Sequence, residues 1–468
     1  MMRTEVLAIG SELLLGQIAD TNSTVIARKL ADGGIPSYFR QVAGDNRGRI
    51  ALALRTALAR SDVVIVSGGL GPTPDDITRE AIADVMNAEL VRDESVASHI
   101  RELFAARGIK MAGNNLRQAD VPAGATVMPQ TSGTAPGLIC PMGQKVIYAV
   151  PGVPSEMVAM IDEQVIPDLK RRMRERGTGI VLVSRTIRTW GLPESALAEK
   201  LESVVRSYEK ERTEAAEADA GPGAESGARP RVTMAFLASA VEGIRVRLTA
   251  SGPGELAALE TLEREVAGVR ALLGRAVFSA DDERIEEVVG RALENQGATL
   301  AVAESFTGGL VSSRLVSVPG ASKWFKGGVV SYGAEVKHKL LGVPDGPVVT
   351  RDSALAMARG VAELLGADAG LAFTGVAGPD PQEGLEPGTV FIGVVLSGEV
   401  APSGTTDPVA APPDPVPQVP AVLRAQPSGT YEETVELTLP GDRETVRQLA
   451  VMSGLDLLRR RIVPGDTS

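Results

Sequence analysis

Short runs of apolar residues alternate with stretches of helical periodicity through the first third of the chain. An uninterrupted run of about five apolar residues is typical of a strand buried on both faces, whereas apolar residues three or four apart indicate an amphipathic helix. Alternation of the two indicates a mainly parallel sheet covered by helices. The pattern predicts strands at residues 5–9, 38–42, 62–66 and 146–150, and helices at residues 22–32, 50–59 and 77–85.

The last third of the chain repeats this pattern. We therefore expect a second α/β domain there, and in both domains we expect ligands outside the carboxyl ends of the strands. The predicted strands are residues 298–303, 328–332, 369–373, 390–396 and 434–439, and the predicted helices are residues 284–295, 310–318 and 354–365.

The middle of the chain predicts a smaller α+β unit. It contains a strand at residues 180–187, a helix at 193–207, a hairpin-like strand pair at 232–238 and 243–249, and a helix at 254–273. Two stretches interrupt the periodic segments. Residues 211–230 are polar and small, which predicts a disordered loop, and residues 400–430 are rich in Pro, Ala and Ser, which predicts a mobile loop.

Length and charge limit the protein class. At about 150 residues per domain, 468 residues predict three domains, here 1–172, 177–281 and 282–461. A formal charge of −11 argues against broad adhesion to nucleic acid or membranes, and only 3% aromatic residues disfavour stacking on single strands. The amino terminus lacks a signal-peptide pattern and no apolar stretch reaches membrane-spanning length, so we expect a cytoplasmic protein.

The chain contains few cysteine and histidine side chains, which limits the chemistry it can perform. Cys140 is the single cysteine, and His99 and His338 are the two histidines, which excludes a disulfide framework within the chain and a multi-His zinc site. We expect His338 at the surface. Proton transfer would therefore rely on Lys, Tyr, Asp or Glu.

The segment 303–310, Ala-Glu-Ser-Phe-Thr-Gly-Gly-Leu, places hydroxyl groups where a predicted strand turns into a helix. Glycines allow close approach of a ligand, and the first N–H groups of a helix are unpaired donors suited to a phosphate or an oxyanion. The alternative is that Ser305 or Thr307 only caps the helix. A second hydroxyl and glycine loop, with Thr374, Gly375 and Gly378, follows the strand at 369–373.

Tyr332 and Lys337 lie between these two loops in sequence. A lysine in a partly desolvated pocket loses its proton near neutral pH and can then activate a serine hydroxyl. The alternative reading is a tyrosine at the end of a strand and a solvated lysine on a helix.

The first domain has its own glycine loop, in which Gly68, Gly69 and Gly71 precede Asp76. Backbone N–H groups of such a loop can surround an anion, and Asp75 and Asp76 could hold a divalent cation that bridges phosphate oxygens. Asp45, after the strand at 38–42, could reach the same site. The alternative for Asp76 is a helix cap. Glu156 follows a Pro-Gly-Val-Pro turn, either as a ligand carboxylate or as a favourable charge in the first turn of a helix.

Four segments of the first domain, residues 10–16, 68–76, 114–119 with 134–137, and 151–157, resemble the molybdopterin-binding-like domain of the CinA family. The resemblance implies a three-layer α/β domain with a metal-dependent ADP-ribose pyrophosphatase activity that uses Mg or Co. It assigns Glu12, Gly68, Gly69, Gly71 and Glu156 to the nucleotide site, and Asp45 and Asp76 to the metal. The middle unit resembles the KH-type linker domain of the same family. It lacks a basic Gly-x-x-Gly loop, so we expect a spacer or dimerisation role rather than RNA binding.

Residues 303–309, 332–343, 374–379 and 441–447 resemble the carboxy-terminal CinA domain. The resemblance implies a second three-layer α/β domain that hydrolyses nicotinamide mononucleotide to nicotinate mononucleotide and ammonia, a step of pyridine nucleotide salvage, without a metal. Phe306 replaces the cysteine common in the family, which leaves Ser305 as the nucleophile. Residues 400–430 are longer than the usual connection.

The implied mechanism uses Ser305 as nucleophile, Lys337 as base and Tyr332 to position the lysine. The N–H groups near Thr307, Gly308 and Gly309 would stabilise the oxyanion, Thr374, Gly375 and Gly378 would bind substrate, and Arg443 or Arg447 would bind the 5′-phosphate. Direct attack by water, with Ser305 only binding, is an alternative. We expect nucleotides as ligands and a homodimer, and a non-enzymatic role in DNA uptake or damage responses is the rival hypothesis.

Overall fold

The computed structural model describes residues 2–129, 133–176, 181–219, 231–252, 254–397, 400, 418–425 and 430–463. The chain divides into two compact units. The first contains Met1–Ser184 and Ala250–Thr261, and the second contains Val232–Thr249, Leu262–Ser468 and a segment that begins at Arg185.

A six-stranded sheet forms the centre of the first unit. Its order is β2-β1-β3-β8-β7-β6, in which β2, β1, β3 and β8 are parallel and β7 and β6 are antiparallel to their neighbours. A separate antiparallel pair joins β4 to β5. The strands are β1 Thr4–Ile9, β2 Ser37–Ala43, β3 Val63–Ser67, β4 Leu90–Arg92, β5 Asp120–Pro122, β6 Thr126–Met128, β7 Gly137–Met142 and β8 Lys145–Val150.

Helices cover both faces of this sheet. Successive residues of a strand point to opposite faces, so Val6 packs in a core with Ile26 of α2, whereas Leu7 packs in another with Leu54 of α3. The result is a three-layer α/β unit. Its helices are α1 Ser11–Leu14, α2 Thr21–Asp32, α3 Arg47–Arg60, α4 Thr78–Met86, α5 Glu94–Ala106, α6 Pro154–Met160 and α7 Ile166–Glu175.

The middle of the chain forms a four-stranded sheet in the order β10-β11-β9-β12. Residues of β11 alternate between buried and half-buried, as expected for a strand with one face in the core. The strands are β9 Val181–Thr189, β10 Arg231–Ser239, β11 Gly243–Gly252 and β12 Val277–Ser279, and the helices are α8 Glu194–Asp219 and α9 Glu255–Leu273.

The prediction of a disordered loop from residue 211 was wrong for its first part. Helix α8 continues through Asp219. The residues added, Glu-Arg-Thr-Glu-Ala-Ala-Glu-Ala-Asp, include six Glu and Ala residues, which have strong helix propensity. Residues 220–230 lie outside the described residues.

The second unit has a six-stranded sheet in the order β14-β13-β15-β16-β18-β17. Strands β14, β13 and β15 are parallel, and the other pairings are antiparallel. Its strands are β13 Leu300–Glu304, β14 Phe325–Val330, β15 Ala369–Gly375, β16 Thr389–Leu396, β17 Gln418–Ala425 and β18 Tyr431–Thr438, and its helices are α10 Ile285–Gln296, α11 Leu310–Val316, α12 Ala334–Leu341, α13 Arg351–Leu365 and α14 Arg443–Ile462.

This sheet also separates two cores. Val302 packs in a core that contains Leu455 of α14, and Ala303 packs in a core that contains Met357 of α13. The predicted α/β class is confirmed for both units. The three domain boundaries and the KH-type assignment stay predictions.

The expectation of an unstructured loop at 400–430 was also wrong in part, because β17 pairs with β18. Pro420 lacks an N–H group, and it lies between the paired residues Val419 and Val422, where the register shifts. A proline is tolerated there because β17 is an edge strand. Residues 401–417 and 426–429 lie outside the described residues.

No helix in the described part of the chain is both long and apolar enough to cross a membrane.

Candidate functional site

Three of the predicted site segments meet at one edge of the second sheet. Parallel strands β14, β13 and β15 end together, since Glu304 is in register with both Val330 and Phe373. The backbone N–H of Ser305 donates to the carbonyl of Phe373 at 3.1 Å. The loop that follows β13 is therefore fixed directly beside the loop that follows β15.

Glu304 is buried and was not singled out in the sequence analysis. Its carboxylate accepts hydrogen bonds from the N–H groups of Gly309, Val311 and Ser312 at 2.9–3.1 Å, and from the Ser312 hydroxyl at 2.7 Å. The expectation that the first N–H groups of α11 are unpaired was therefore wrong. A side chain of the protein already occupies the place where a phosphate would bind the helix.

The free donors of this loop lie earlier in the sequence. The N–H of Gly308 donates to the carbonyl of Ser305, and that of Gly309 to Glu304. In the described part of the chain, the N–H groups of Phe306 and Thr307 have no acceptor. These two adjacent amides can receive an oxyanion.

Arg447 of α14 fixes the peptide plane that carries the Thr307 N–H, because the Phe306 carbonyl lies in that plane. Its Nε donates to the carbonyl of Phe306 at 3.1 Å, and its Nη2 donates to the carbonyl of Thr307 at 2.8 Å. Its Nη1 pairs with Glu444. The Arg447 guanidinium is thus engaged by the protein rather than displayed for a phosphate.

The hydroxyl of Thr307 is the buried polar group of this loop that lacks a partner. The residue is 0% exposed, and no described residue forms a hydrogen bond with Thr307 Oγ1. A buried hydroxyl without a partner is costly unless a ligand or water satisfies it. This observation is independent of the free backbone donors beside it.

Lys337 is buried, with an exposed fraction of 3%. Its Nζ lies 3.4 Å from Thr374 Oγ1, and that hydroxyl donates to the carbonyl of Val348 at 2.8 Å. Burial lowers the pKa of Lys337, and the negative charge of Glu383 partly opposes this effect. The solvated-lysine alternative is therefore wrong, and a buried amine with a lowered pKa can accept a proton.

Tyr332 is 64% exposed, and its hydroxyl accepts a hydrogen bond from Arg443 Nη2 at 3.1 Å. Arg443 Nη1 donates to the carbonyl of Gly378 at 2.7 Å. Arg443 therefore connects the segment after β14 to the loop after β15. His338 is half-buried, with Nδ1 2.9 Å from the carbonyl of Val343, rather than fully at the surface as expected.

Glycine is required in the loop after β15. A Cβ atom at Gly375 would lie 2.7 Å from the carbonyl oxygen of Thr389, and Gly378 has a φ of +88°. Both positions would be strained by a side chain.

The first unit brings its predicted loops together in a similar way. Strands β1, β3 and β8 are adjacent and parallel, so the loops that follow them share an edge. The side-chain amide of Asn22 donates to the carbonyl of Gly152 at 2.7 Å and to the Ser67 hydroxyl at 3.3 Å. Gly68 and Gly69 have φ values of +106° and +67°, which favour glycine.

The two aspartates predicted to hold a metal are each engaged through one oxygen. Asp45 Oδ2 accepts from the N–H of Ser11 at 2.7 Å, and Asp76 Oδ2 accepts from the N–H and the hydroxyl of Thr73 at 2.8 and 2.5 Å. The helix-cap alternative does not describe Asp76, which closes a turn ahead of α4.

The two glutamates of this predicted site differ in their contacts. Glu12 lies against Gly10, and Glu156 lies against Gly133, with its pKa raised by burial. Among the described residues, no group of three or more His, Cys, Asp or Glu side chains could hold a metal. Asp45 Oδ1 and Asp76 Oδ1 accept no hydrogen bond from a described residue.

Comparison with known proteins gives matches over both units. Residues 5–171 match the family described as a probable molybdopterin binding domain, and residues 282–407 match the CinA C-terminal domain. A CinA-like protein of Frankia casuarinae is 42% identical over 471 residues, which cover 98% of this chain and 96% of the relative. A putative competence-damage inducible protein of Clostridium beijerinckii is 36% identical over 469 residues, which cover 99% of this chain and 100% of the relative. The solved structure of a CinA protein of unknown function from Thermoplasma acidophilum is 34% identical, covers 37% of this chain and 96% of its own, and gives a TM-score of 0.32.

Proposed function

Because the chain belongs to the CinA family, we propose that its second unit hydrolyses the carboxamide of nicotinamide mononucleotide. The observation that carries the proposal is the loop after β13, where Ser305 directly precedes two N–H groups without an acceptor. A nucleophile followed by two free amide donors suits acyl transfer, in which negative charge develops on the substrate oxygen.

The reaction proceeds in two halves. Ser305 Oγ attacks the carboxamide carbon while its proton passes to the neutral amine of Lys337, and the N–H groups of Phe306 and Thr307 hold the oxyanion. The C–N bond then breaks, and Lys337 returns the proton so that ammonia leaves. Water attacks the acyl-serine ester, which releases nicotinate mononucleotide and restores the hydroxyl.

Substrate contacts come from the groups around this loop. The Thr307 hydroxyl, which is buried without a partner, contacts the carboxamide or the ring. Arg443 is exposed and lies beside Gly378, so it rather than Arg447 provides the charge for the 5′-phosphate. No metal is needed for this hydrolysis.

The test is ammonia release from nicotinamide mononucleotide by the full chain, with Ser305→Ala as the variant. We expect turnover to fall below detection while the circular dichroism spectrum is unchanged. Ser331→Ala is the matched control, because Ser331 is also buried and directly follows β14, and the hydroxyl that the substitution removes makes one long hydrogen bond among the described residues, 3.4 Å to the carbonyl of Glu304. Unchanged turnover in Ser305→Ala would remove the assignment of the nucleophile. Trapping an acyl-serine adduct by mass spectrometry separates covalent catalysis from direct attack by water.

A second candidate activity is ADP-ribose pyrophosphatase in the first unit, and the glycine loop after β3 favours it. Asp45 and Asp76 each keep one carboxylate oxygen free of protein hydrogen bonds, and these oxygens would hold a divalent cation such as Mg²⁺ or Co²⁺. The cation would supply positive charge to phosphate oxygens. Glu12 and Glu156 would contribute further negative charge near the loop edge.

This activity predicts AMP and ribose 5-phosphate as products, with loss of both on chelation and in Asp76→Asn. A chain that binds both nucleotides but hydrolyses neither would instead support the non-enzymatic role. We also propose that the protein is a cytoplasmic homodimer. Sedimentation velocity on the full chain tests the dimer, because a single species at monomer mass would contradict it.

A further inference from the structure

Glu383 lies in the loop after β15, outside all of the predicted site segments, and its carboxylate contacts a second loop. Glu383 Oε1 accepts a hydrogen bond from the N–H of Val348 at 3.2 Å, and Oε2 accepts one from the N–H of Val349 at 2.9 Å. The two valines are buried, whereas Glu383 is exposed. One carboxylate of an exposed residue therefore holds two consecutive peptides of the buried segment that leads into α13.

The backbone at Glu383 has an unusual conformation for a glutamate. The N–H of Gln382 donates to the carbonyl of Leu385 at 3.1 Å, and the N–H of Leu385 donates back at 2.9 Å. The two residues between them, Glu383 and Gly384, have φ values of +52° and +77°. Such a two-residue turn favours Asn, Asp or Gly at its first central position. A glutamate held there indicates that its side chain is needed at this place.

The contact with Val349 reaches the candidate site through one peptide plane. The Val349 N–H and the Val348 carbonyl belong to the same planar group, so Glu383 holds this plane from its N–H side. The Thr374 hydroxyl donates to the carbonyl of that plane and thereby uses its single proton. Its oxygen can then only accept from Lys337 Nζ, 3.4 Å away. One hydrogen of the amine is directed at Thr374, which leaves the lone pair of the neutral amine for another proton.

Glu383 also acts on Lys337 through its charge. Burial lowers the pKa of the amine, and the negative charge of Glu383 raises it. Among the described residues, no other charged group shifts this pKa. The titratable groups nearby on α12, and on α13 that packs against it, are Glu335, His338, Lys339, Arg351, Asp352, Arg359 and Glu363.

We propose that Glu383 is a positioning residue of the candidate amidase site, because it fixes the Val348 carbonyl that orients Thr374 and, through Thr374, the Lys337 amine. The inference rests on the proposed function for the reaction that the amine serves. It adds a residue that touches neither the substrate nor the reacting atoms.

Glu383→Asp tests the positioning. Aspartate keeps the negative charge and suits a positive φ, but its side chain is one methylene shorter and cannot reach both N–H groups. In ammonia release from nicotinamide mononucleotide by the full chain, we expect kcat to fall by about tenfold with little change in KM. The pH at which kcat/KM rises should stay close to that of the wild type, because the charge is kept.

Glu383→Gln tests the charge. Glutamine keeps the length and one acceptor oxygen, so we expect a smaller loss of kcat than in Glu383→Asp. The rise of kcat/KM should move to lower pH, because the charge that raises the Lys337 pKa is removed. Glu386→Gln is the matched control. It removes the same charge from an exposed residue of the same loop whose carboxylate accepts no hydrogen bond from a described residue.

A glutamate that only braced the loop would give a different result. Both Glu383 variants would then lower the thermal midpoint, while the kcat and the pH profile of the folded enzyme would match those of Glu386→Gln. That outcome would overturn the inference.

A measurement without turnover separates this inference from the proposed function. In the full chain labelled with ¹³C-lysine, the ε-carbon signal of Lys337 is the one that disappears in Lys337→Met. If the wild-type chain releases no ammonia but this signal titrates at lower pH in Glu383→Gln and changes its shift at high pH in Glu383→Asp, the proposed function fails and the positioning of the amine is supported. A Lys337 signal identical in the wild type and both variants would overturn the inference, whether or not ammonia is released.

Discussion

Lys337 Nζ lies 3.4 Å from the hydroxyl of Thr374, inside the second unit. These residues belong to a helix and a strand end that are separated by more than thirty residues in sequence, and their contact joins two of the predicted site segments. The hydroxyl in turn donates to the carbonyl of Val348, so Thr374 can accept from the amine but has no second proton to give it. Among the described residues, no carboxylate forms an ion pair with this amine.

The burial of Lys337 predicts a specific pH dependence of activity. Burial lowers the pKa of its amine from 10.5, so we expect kcat/KM for nicotinamide mononucleotide to rise with pH and to level off below that value. Lys337→Met should lower turnover by about a hundredfold or more and abolish this rise. A pH profile of the variant that keeps the wild-type rise would assign the base to another residue.

The same substitution predicts a gain in stability. A lysine with a lowered pKa in the folded state destabilises the fold most at low pH, below the folded pKa, and this cost disappears as the pH approaches 10.5. We therefore expect Lys337→Met to raise the thermal midpoint at pH 6, with a difference that shrinks toward pH 10. Lys339→Met, on the exposed side of the same helix, is the control. A lower midpoint for Lys337→Met at pH 6 would contradict the argument.

Arg447 should affect the rate more than substrate binding, because its hydrogen bond to the Phe306 carbonyl orients the Thr307 N–H, which lies in the same peptide plane. Arg447→Gln is expected to lower kcat by about ten- to a hundredfold with little change in KM. Arg447→Lys should give an intermediate value, since one ammonium cannot replace the fork of a guanidinium. Gln448→Ala is the control, because the Gln448 side chain hydrogen-bonds to Glu444 on the same helix and, among the described residues, not to the loop after β13. Equal kcat values for all three variants would show that the loop does not need this support.

Tyr332 and Arg443 are expected to act together, because the tyrosine hydroxyl accepts from Arg443 Nη2. In a double-mutant cycle of Tyr332→Phe and Arg443→Gln, we expect the effects on kcat/KM to be non-additive by about 1 kcal/mol. If Tyr332 instead positions Lys337, as expected from the resemblance, the prediction differs. In that case Tyr332→Phe would shift the pH profile and Arg443→Gln would not.

Glu304 should stabilise the start of α11 by accepting hydrogen bonds from its backbone N–H groups. Glu304→Gln replaces an acceptor by an amide that presents two protons to a cluster of N–H donors, at a cost of about 1–3 kcal/mol. Hydrogen exchange of the full chain, read on the peptide that covers residues 305–316, should show faster exchange. Glu335→Gln, in the exposed first turn of α12, should leave that peptide unchanged. Equal protection in both variants would show that the carboxylate contributes little to the helix.

The sequence pattern predicted strands β1 and β15 closely, because they are short apolar runs that precede glycine loops, whereas it predicted β14 at 328–332 and the strand is Phe325–Val330. Strand β1 begins one residue before the strand predicted at 5–9, and β15 ends two residues after the strand predicted at 369–373. The proximity of the loops that contain Ser305 and Thr374 followed from the rule that parallel strands end at the same edge. The contact of Lys337 with Thr374 did not follow from that rule, because Lys337 lies on a helix.

The structural roles of some residues could not be predicted from the sequence around them. Glu304 reads as the last residue of a strand, and only the fold turns its carboxylate toward the helix that follows. Arg79 reads as an exposed arginine between Thr78 and Glu80, and nothing in that tripeptide predicts a buried guanidinium. Strand β17 depends on pairing with β18, which a proline-rich composition cannot reveal.

Strand β17 has a consequence for how the chain behaves in crowded solution. It covers the outer rim of β18, whose backbone N–H and C=O groups would otherwise be open to pairing with any other extended chain. If the connection between β16 and β18 were shortened so that β17 was lost, the candidate site around Ser305 would remain. The exposed edge of β18 would then favour self-association, unless another segment covered it.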